Sequence, residues 1–174
     1  MKTNPRIAEL ELHIPSDTGS IAPTVDQIVG RIRRKGCLRG RESDVEVALF
    51  EALANAVIHG NRQQAQKQVT ICCRHEPNKY VSIVVRDEGT GFDPDGVPDP
   101  TAPENLTSEH GRGILLMKTF MDEVRFEKGG TEVHLLKKCD APVKPLLRRY
   151  VENIADYIRT RSKLRFAQRF HSSG

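Results

Sequence analysis

The sequence predicts an α+β two-layer sandwich in which helices pack on one face of a mixed sheet. Three observations carry that prediction: two pairs of strand-like runs split by turn residues, two long stretches with apolar residues at helical spacing, and a composition suited to one core. The chain has 174 residues, 37% hydrophobic and 29% charged, with a mean hydropathy of −0.49. That length supports a core without disulfides or metal, and one domain, or one domain with an appendage, is expected rather than a multi-module machine.

The elements follow in order. Leu10, Leu12 and Ile14 alternate with Glu9, Glu11 and His13, the period-2 pattern of a half-buried strand over residues 8–14 that Pro15 ends. Val25, Ile28, Val29 and Ile32 recur at helical spacing between residues 22 and 35, and Gly36 supplies a stop. Ser43 with Glu46 three residues on has the form of a capping box, so a strong helix is expected over 45–58, ended by Gly60. Residues 69–74 and 80–85 are strand-like and flank Glu76-Pro77-Asn78-Lys79, which predicts an antiparallel hairpin. A short helix follows over 114–121, then a second hairpin from 124–126 and 131–136 across Lys128-Gly129-Gly130.

Two stretches break the pattern. Residues 93–109 hold four of the ten prolines, five carboxylates and no basic residue, so this aperiodic run is either a disordered excursion or a functional lid. From residue 140 onward, Leu146, Leu147, Tyr150, Val151, Ile154 and Ile158 return to helical spacing in a basic context. The expected division is therefore a body over 1–139 and a basic helical extension over 140–174.

Charge placement limits the partners. The total of +4 arises from the extension, whose eight basic and three acidic residues give +5 and leave residues 1–139 at −1. The body is not a basic platform for nucleic acid, and no direct nucleic-acid partner is expected. No run approaches the roughly 18 apolar residues of a membrane span, and the first thirty residues lack the apolar region of a signal peptide. A cytoplasmic protein without membrane contact is expected. Cys37, Cys72, Cys73 and Cys139 show no zinc-binding spacing and read as reduced thiols with small structural roles.

Four patterns could carry chemistry. The helix over 45–58 is apolar almost all round, yet Glu51, Asn55 and His59 fall at i, i+4 and i+8 on one line. A Glu on a buried helix needs a partner, a cleft or an ion beside it. Bonds from Glu51 and Asn55 to neighbouring loops satisfy that need as well as an ion and nucleotide site does, and the helix alone does not choose. Asp87, Gly89 and Gly91 follow a strand, where an acceptor-only carboxylate can fix an amine and glycines permit close approach. Gly111, Arg112 and Gly113 lead into the 114–121 helix, whose first N–H groups suit phosphate. Gly130-Thr131 opens the last strand. Taken singly, each of these last three also reads as an ordinary turn or cap.

In combination they are more specific. A polar Glu-x-x-x-Asn line, then Asp-x-Gly-x-Gly, then a long loop ending in Gly-x-Gly at a helix start, then Gly-Thr on a late strand resembles the motif series of the GHKL (Bergerat-fold, histidine kinase-like) ATPases. The matching residues are Glu51 and Asn55 for the N box, Asp87, Gly89 and Gly91 for G1, and Gly111 and Gly113 for G2. The stretches EALANAVIHGN and HGRGILLMKTFMDEV look like those of the anti-sigma factor serine/threonine kinases. The likeness runs over about residues 8–138.

What the resemblance implies is concrete. Asn55 is the Mg²⁺ ligand and Glu51 the general base toward the attacking hydroxyl. Asp87 accepts from the adenine amino group, Gly89 and Gly91 let the ring approach, and Thr131 lies near it. Gly111, Arg112 and Gly113 contact the phosphates of ATP. The implied reaction moves the γ-phosphoryl group to Ser or Thr of a STAS-type anti-sigma factor antagonist, with a sigma factor as the sequestered partner and a homodimer as the expected state. A lid over 93–109 that orders around ATP would couple occupancy to a partner surface. Neither a Walker A loop nor the H-R-D and D-F-G motifs of eukaryotic-type kinases is present. Two other classes stay open: the ATP-binding module of a histidine kinase system, and a nucleotide-dependent binding protein without phosphotransfer.

Overall fold

The computed structural model describes residues 10–93, 96 and 112–140. The chain divides into two units, Met1–Ala141 and Pro142–Gly174, and every described residue lies in the first. The expected lid (Asp93 and Gly96 apart), Gly111 and the extension after Asp140 lie outside the described residues.

β1 spans Leu10–Pro15 and its leucines and isoleucine turn inward as their alternation requires. A 3-10 turn, Thr18–Ser20, is capped by Asp17, whose Oδ1 accepts from Gly19 N–H at 3.1 Å. It feeds α1, Ile21–Lys35, which buries Ile21, Val25, Ile28, Val29 and Ile32 on one stripe. Gly36 ends the helix in the left-handed conformation at φ +67°, its N–H bonded to the carbonyls of Ile32 and Arg33.

α2, Glu42–Ala54, begins earlier than expected and without the capping box. Arg41 occupies the cap position, and its guanidinium reaches across the fold to Lys138 O at 2.9 Å and Cys139 O at 2.6 Å. That tertiary anchoring sets the helix start, so Ser43 and Glu46 lie inside the first turns. Asp44 in the first turn instead pairs at 2.7 Å with buried Lys137, whose Nζ also donates to Phe120 O at 2.6 Å. The helix expected as one α-helix to residue 58 changes pitch. Residues Asn55–Gly60 form a π turn, closed by Asn61 N–H donating to Ala56 O at 2.8 Å.

The remaining elements are β2 (Gln68–Glu76), β3 (Tyr80–Arg86), α3 (Arg112–Phe120), β4 (Glu123–Glu127) and β5 (Glu132–Lys138). Both hairpins form as read, β2 with β3 and β4 with β5. The sheet order is β1-β2-β3-β5-β4. All four pairings are antiparallel, which corrects the mixed sheet while leaving the two-layer α+β class intact. The reason is topological. β3 and β4 run the same way through the α3 crossover, but β5 returns between them, so the two parallel strands never pair.

One face of the sheet is apolar. Val69, Ile71, Cys73, Val81, Ile83, Val85, Val133 and Leu135 are buried there, and with Ile28, Leu49, Leu53, Val57, Met117 and Phe120 of the helices they form the core. The other face carries Thr70, Arg86, Glu132 and Glu127 in one cross-strand row.

Candidate functional site

The C-terminal end of β3, the N-terminal end of β5, the π turn and the first turn of α3 meet at one end of the sheet. Asp87 leaves β3 there, and its N–H donates to Thr131 O at 3.0 Å. Its Oδ1 accepts from Gly89 N–H at 2.8 Å, which fixes the orientation of the carboxylate. Burial pushes the Asp87 carboxyl up from its ordinary range, against the Gly89 N–H and the Lys67 ammonium, which pull it down.

Two close approaches tie this carboxylate to its surroundings. A Cβ on Gly60 would lie 2.4 Å from Asp87 Cγ, and one on Gly89 would lie 2.3 Å from Gly60 O. Gly91, at φ +77°, would place a Cβ 2.0 Å from Gly129 O, where Phe92 N–H also donates at 2.9 Å. Only glycine fits that conformation and that gap. Thr131 closes the same corner, its hydroxyl donating to Lys128 O at 3.0 Å.

The second half of the site is built on α2 and α3. Glu51 is buried at 7% exposure, Asn55 is half-buried at the head of the π turn, and His59 is exposed. Gly113 lies in the first turn of α3 rather than before it, since the helix starts at Arg112. A Cβ on Gly113 would sit 2.8 Å from Glu51 Oε2 and 3.5 Å from both Asn55 amide atoms. Arg112 is exposed beside it, and Gly111 lies outside the described residues.

The π turn joins the halves: Asn55 at its head faces Gly113, and Gly60 at its foot faces Asp87. Sequence patterns marked Glu51, Asn55, Asp87, Gly89, Gly91, Gly113 and Thr131, all of which the fold gathers at this end. They missed Gly60, which reads as a plain helix stop, and Asn61. Asn61 is fully buried, donates from Nδ2 to Gln68 O at 2.9 Å and accepts at Oδ1 from Glu88 N–H at 2.8 Å. The run Gly60-Asn61 after an apolar helix was the available signal, but its partners are 7 and 27 residues away.

The family described as the histidine kinase-like ATPase domain matches residues 14–137, from the C-terminal end of β1 to near the end of β5. The chain belongs to the histidine kinase-like ATPase family. It is similar to the serine-protein kinase RsbW of Bacillus subtilis (strain 168), 30% identical over 145 residues, 79% of this chain and 88% of the relative. It is also similar to the anti-sigma F factor of Priestia megaterium, 32% identical over 102 residues, 55% of this chain and 68% of the relative. The anti-sigma F factor of Clostridium novyi (strain NT) is 35% identical over 102 residues, 55% of this chain and 70% of the relative. The histidine kinase-like ATPase domain therefore has relatives that are named both as kinases and as anti-sigma factors. Among the described residues no helix is long and apolar enough to cross a membrane.

Proposed function

We propose that this chain is an anti-sigma factor serine/threonine kinase that binds MgATP, phosphorylates a STAS-type anti-sigma factor antagonist and sequesters a sigma factor. The observation that carries the reading is the continuous run of α2 and the π turn, which sets Glu51 and Asn55 against Gly113 at one end and Gly60 against Asp87 at the other. The residues fit a magnesium nucleotide. A hard amide oxygen and a carboxylate stand together at the start of α3, and an oriented carboxylate lies between close-packed glycines. Bound MgATP supplies the γ-phosphoryl group and, through its cation, neutralises phosphate charge.

The chain's own residues do the positioning. Asn55 offers its amide oxygen to the cation. Glu51 accepts the proton of the incoming Ser or Thr hydroxyl, and its burial keeps water from competing for that proton. Asp87 accepts from the adenine amino group, while Gly89, Gly91 and Thr131 shape the wall around the ring. Gly111, Arg112 and Gly113 face the phosphates, where the N–H groups and dipole of α3 favour negative charge. Residues 1–139 carry this chemistry in our reading, and the 140–174 extension, with its +5 charge, suits an acidic partner surface. A cytoplasmic homodimer completes the proposal.

Calorimetric titration with MgATP tests the site. Asp87→Asn and Asn55→Ala should each weaken binding at least roughly tenfold; a wild-type chain that binds no nucleotide would end the kinase reading. Glu51→Gln then tests the chemistry. The variant should keep its ATP affinity and lose roughly 10² to 10⁴ in phosphotransfer rate to the antagonist. A rate unchanged by Glu51→Gln, or absent in the wild type, would leave a nucleotide-dependent binding protein.

A further inference from the structure

Cys37, His75 and Cys139 come together far from the site above. Cys37 follows α1, His75 lies near the C-terminal end of β2 and Cys139 follows β5. They gather at the end of the sheet opposite Asp87, since β2 and β5 both run antiparallel to β3. One ligand atom from each, two thiol sulfurs and a ring nitrogen, lies within 4.8 Å of the other two. Their separation in sequence, 38 and 64 residues, is why no ligand spacing is visible there.

Two buried side-chain nitrogens have no hydrogen-bond partner among the described residues, and both belong to this corner. One is Nε2 of His75 itself. The other is Nη1 of Arg41, whose Nη2 is bonded to Cys139 O at 2.6 Å and whose charge acts on Cys37. Orphaned buried nitrogens are rare and point to an absent partner.

We propose that Cys37, His75 and Cys139 form a Zn²⁺ site, with water in the fourth position. The donor set is right for a borderline-soft d¹⁰ cation and wrong for Mg²⁺ or Ca²⁺. Tetrahedral zinc needs donors roughly 3.5 to 3.8 Å apart, so the observed triangle closes with shifts of no more than about 1 Å. The charge balances: two thiol protons leave as the ion enters, and two thiolates neutralise its 2+. That neutral centre is cheaper to bury than the bare thiolates. The thiolates also bring negative charge to the Arg41 guanidinium, whose charge already acts on Cys37. Burial, with the neighbouring Cys139 thiol, pushes the Cys37 thiol up to about 12, so without a cation this sulfur is a poor nucleophile and slow to oxidise. The ion would clamp the loop after α1 to the ends of β2 and β5.

The test uses the full-length, tag-free chain under a non-thiol reductant. Co²⁺ should bind one per chain and give the near-ultraviolet thiolate charge-transfer band and intense visible bands of a tetrahedral sulfur-ligated site. Zn²⁺ should displace it stoichiometrically. Cys37→Ser and Cys139→Ser should each weaken Zn²⁺ binding at least roughly tenfold by chelator competition, while Cys72→Ser leaves it unchanged. A weak octahedral Co²⁺ spectrum without charge transfer, or Zn²⁺ affinity equal in the wild type and the Cys37→Ser/Cys139→Ser double variant, overturns the proposal. The wild-type Co²⁺ spectrum decides the matter even if a cysteine variant fails to fold.

Discussion

Gly60 is a sharp place to perturb the site because the atoms nearest an added Cβ are those of the Asp87 carboxylate. Its backbone does not need a positive φ, so alanine is conformationally allowed, and the added Cβ meets Asp87 Cγ at 2.4 Å and both carboxylate oxygens at 2.6 Å. An ordinary contact requires about 3.4 Å, so the carboxylate must retreat by about 1 Å. Asp87 cannot yield gently. Its N–H is held by Thr131 O and its Oδ1 by Gly89 N–H, so the retreat breaks the Gly89 bond and turns the acceptor away from a ligand. Losing one hydrogen bond to a charged acceptor costs about 1.5 to 3 kcal/mol, roughly a 10- to 150-fold rise in Kd. Stability should fall by only about 0.5 to 2 kcal/mol, because a helical Gly→Ala gain of up to about 1 kcal/mol partly offsets the lost internal bond. The assay is calorimetric titration of a non-hydrolysable MgATP analogue into wild type, Gly60→Ala, Asp87→Ala and the double variant, with thermal melts of each. If Gly60 acts through Asp87, the double variant binds no worse than Asp87→Ala, a coupling of about 2 kcal/mol. Gly60→Ala binding within threefold of wild type, or penalties that simply add, would refute the reasoning.

Other perturbations read the surrounding structure. Asn61→Ala leaves Gln68 O and Glu88 N–H without their buried partner and should cost about 2 to 3 kcal/mol in denaturant unfolding. Asp44→Ala strands buried Lys137 and should cost about 3 kcal/mol by the same measurement. Burial alone would raise the Glu132 carboxyl, but bonds from Lys128, Arg86 and His134 outweigh it and carry it from 4.5 to about 2. A depressed folded-state value means the stabilisation is complete above pH 4.5 and is lost as pH falls toward 2. After allowance for the half-exposed Arg86 and Lys128, this amounts to about 2 to 3 kcal/mol. Glu132→Gln should flatten that part of the stability profile, and an unchanged acid transition would remove Glu132 as its source.

What was legible in the sequence was local. α1, its Gly36 stop and both hairpins follow from periodicity and turn residues within a dozen positions, and the Glu51, Asn55, Asp87, Gly89, Gly91 and Gly113 pattern marked the end of the sheet where they meet. What was not legible depended on distant partners. Arg41 starts α2 by bonding to carbonyls 97 and 98 residues away, so the nearby Ser43 and Glu46 misled. The switch to a π turn at Asn55 is invisible to a 3.6-residue period, and with it the meaning of Gly60. Hairpin signals cannot say that β5 inserts between β3 and β4, which is what makes the sheet antiparallel.

The burial of Glu132 raises a question of its own, since taking a carboxylate out of water carries a desolvation cost that its partners must offset. Register answers it. The apolar face of β3 and β5 pairs Val81, Ile83 and Val85 with Lys137, Leu135 and Val133, and a slip by two residues would keep that face largely apolar. The opposite face does not tolerate the slip. Arg86 faces Glu132 in the observed register; two residues away, Glu132 would face Val84 or Glu88 and its charge would be buried without the guanidinium. Arg86 immediately precedes Asp87, and Glu132 immediately follows Thr131, whose carbonyl holds Asp87 N–H. The ion cluster around Glu132 therefore selects the one register that sets Asp87 beside Thr131, and the same charge fixes the corner where the adenine is proposed to bind.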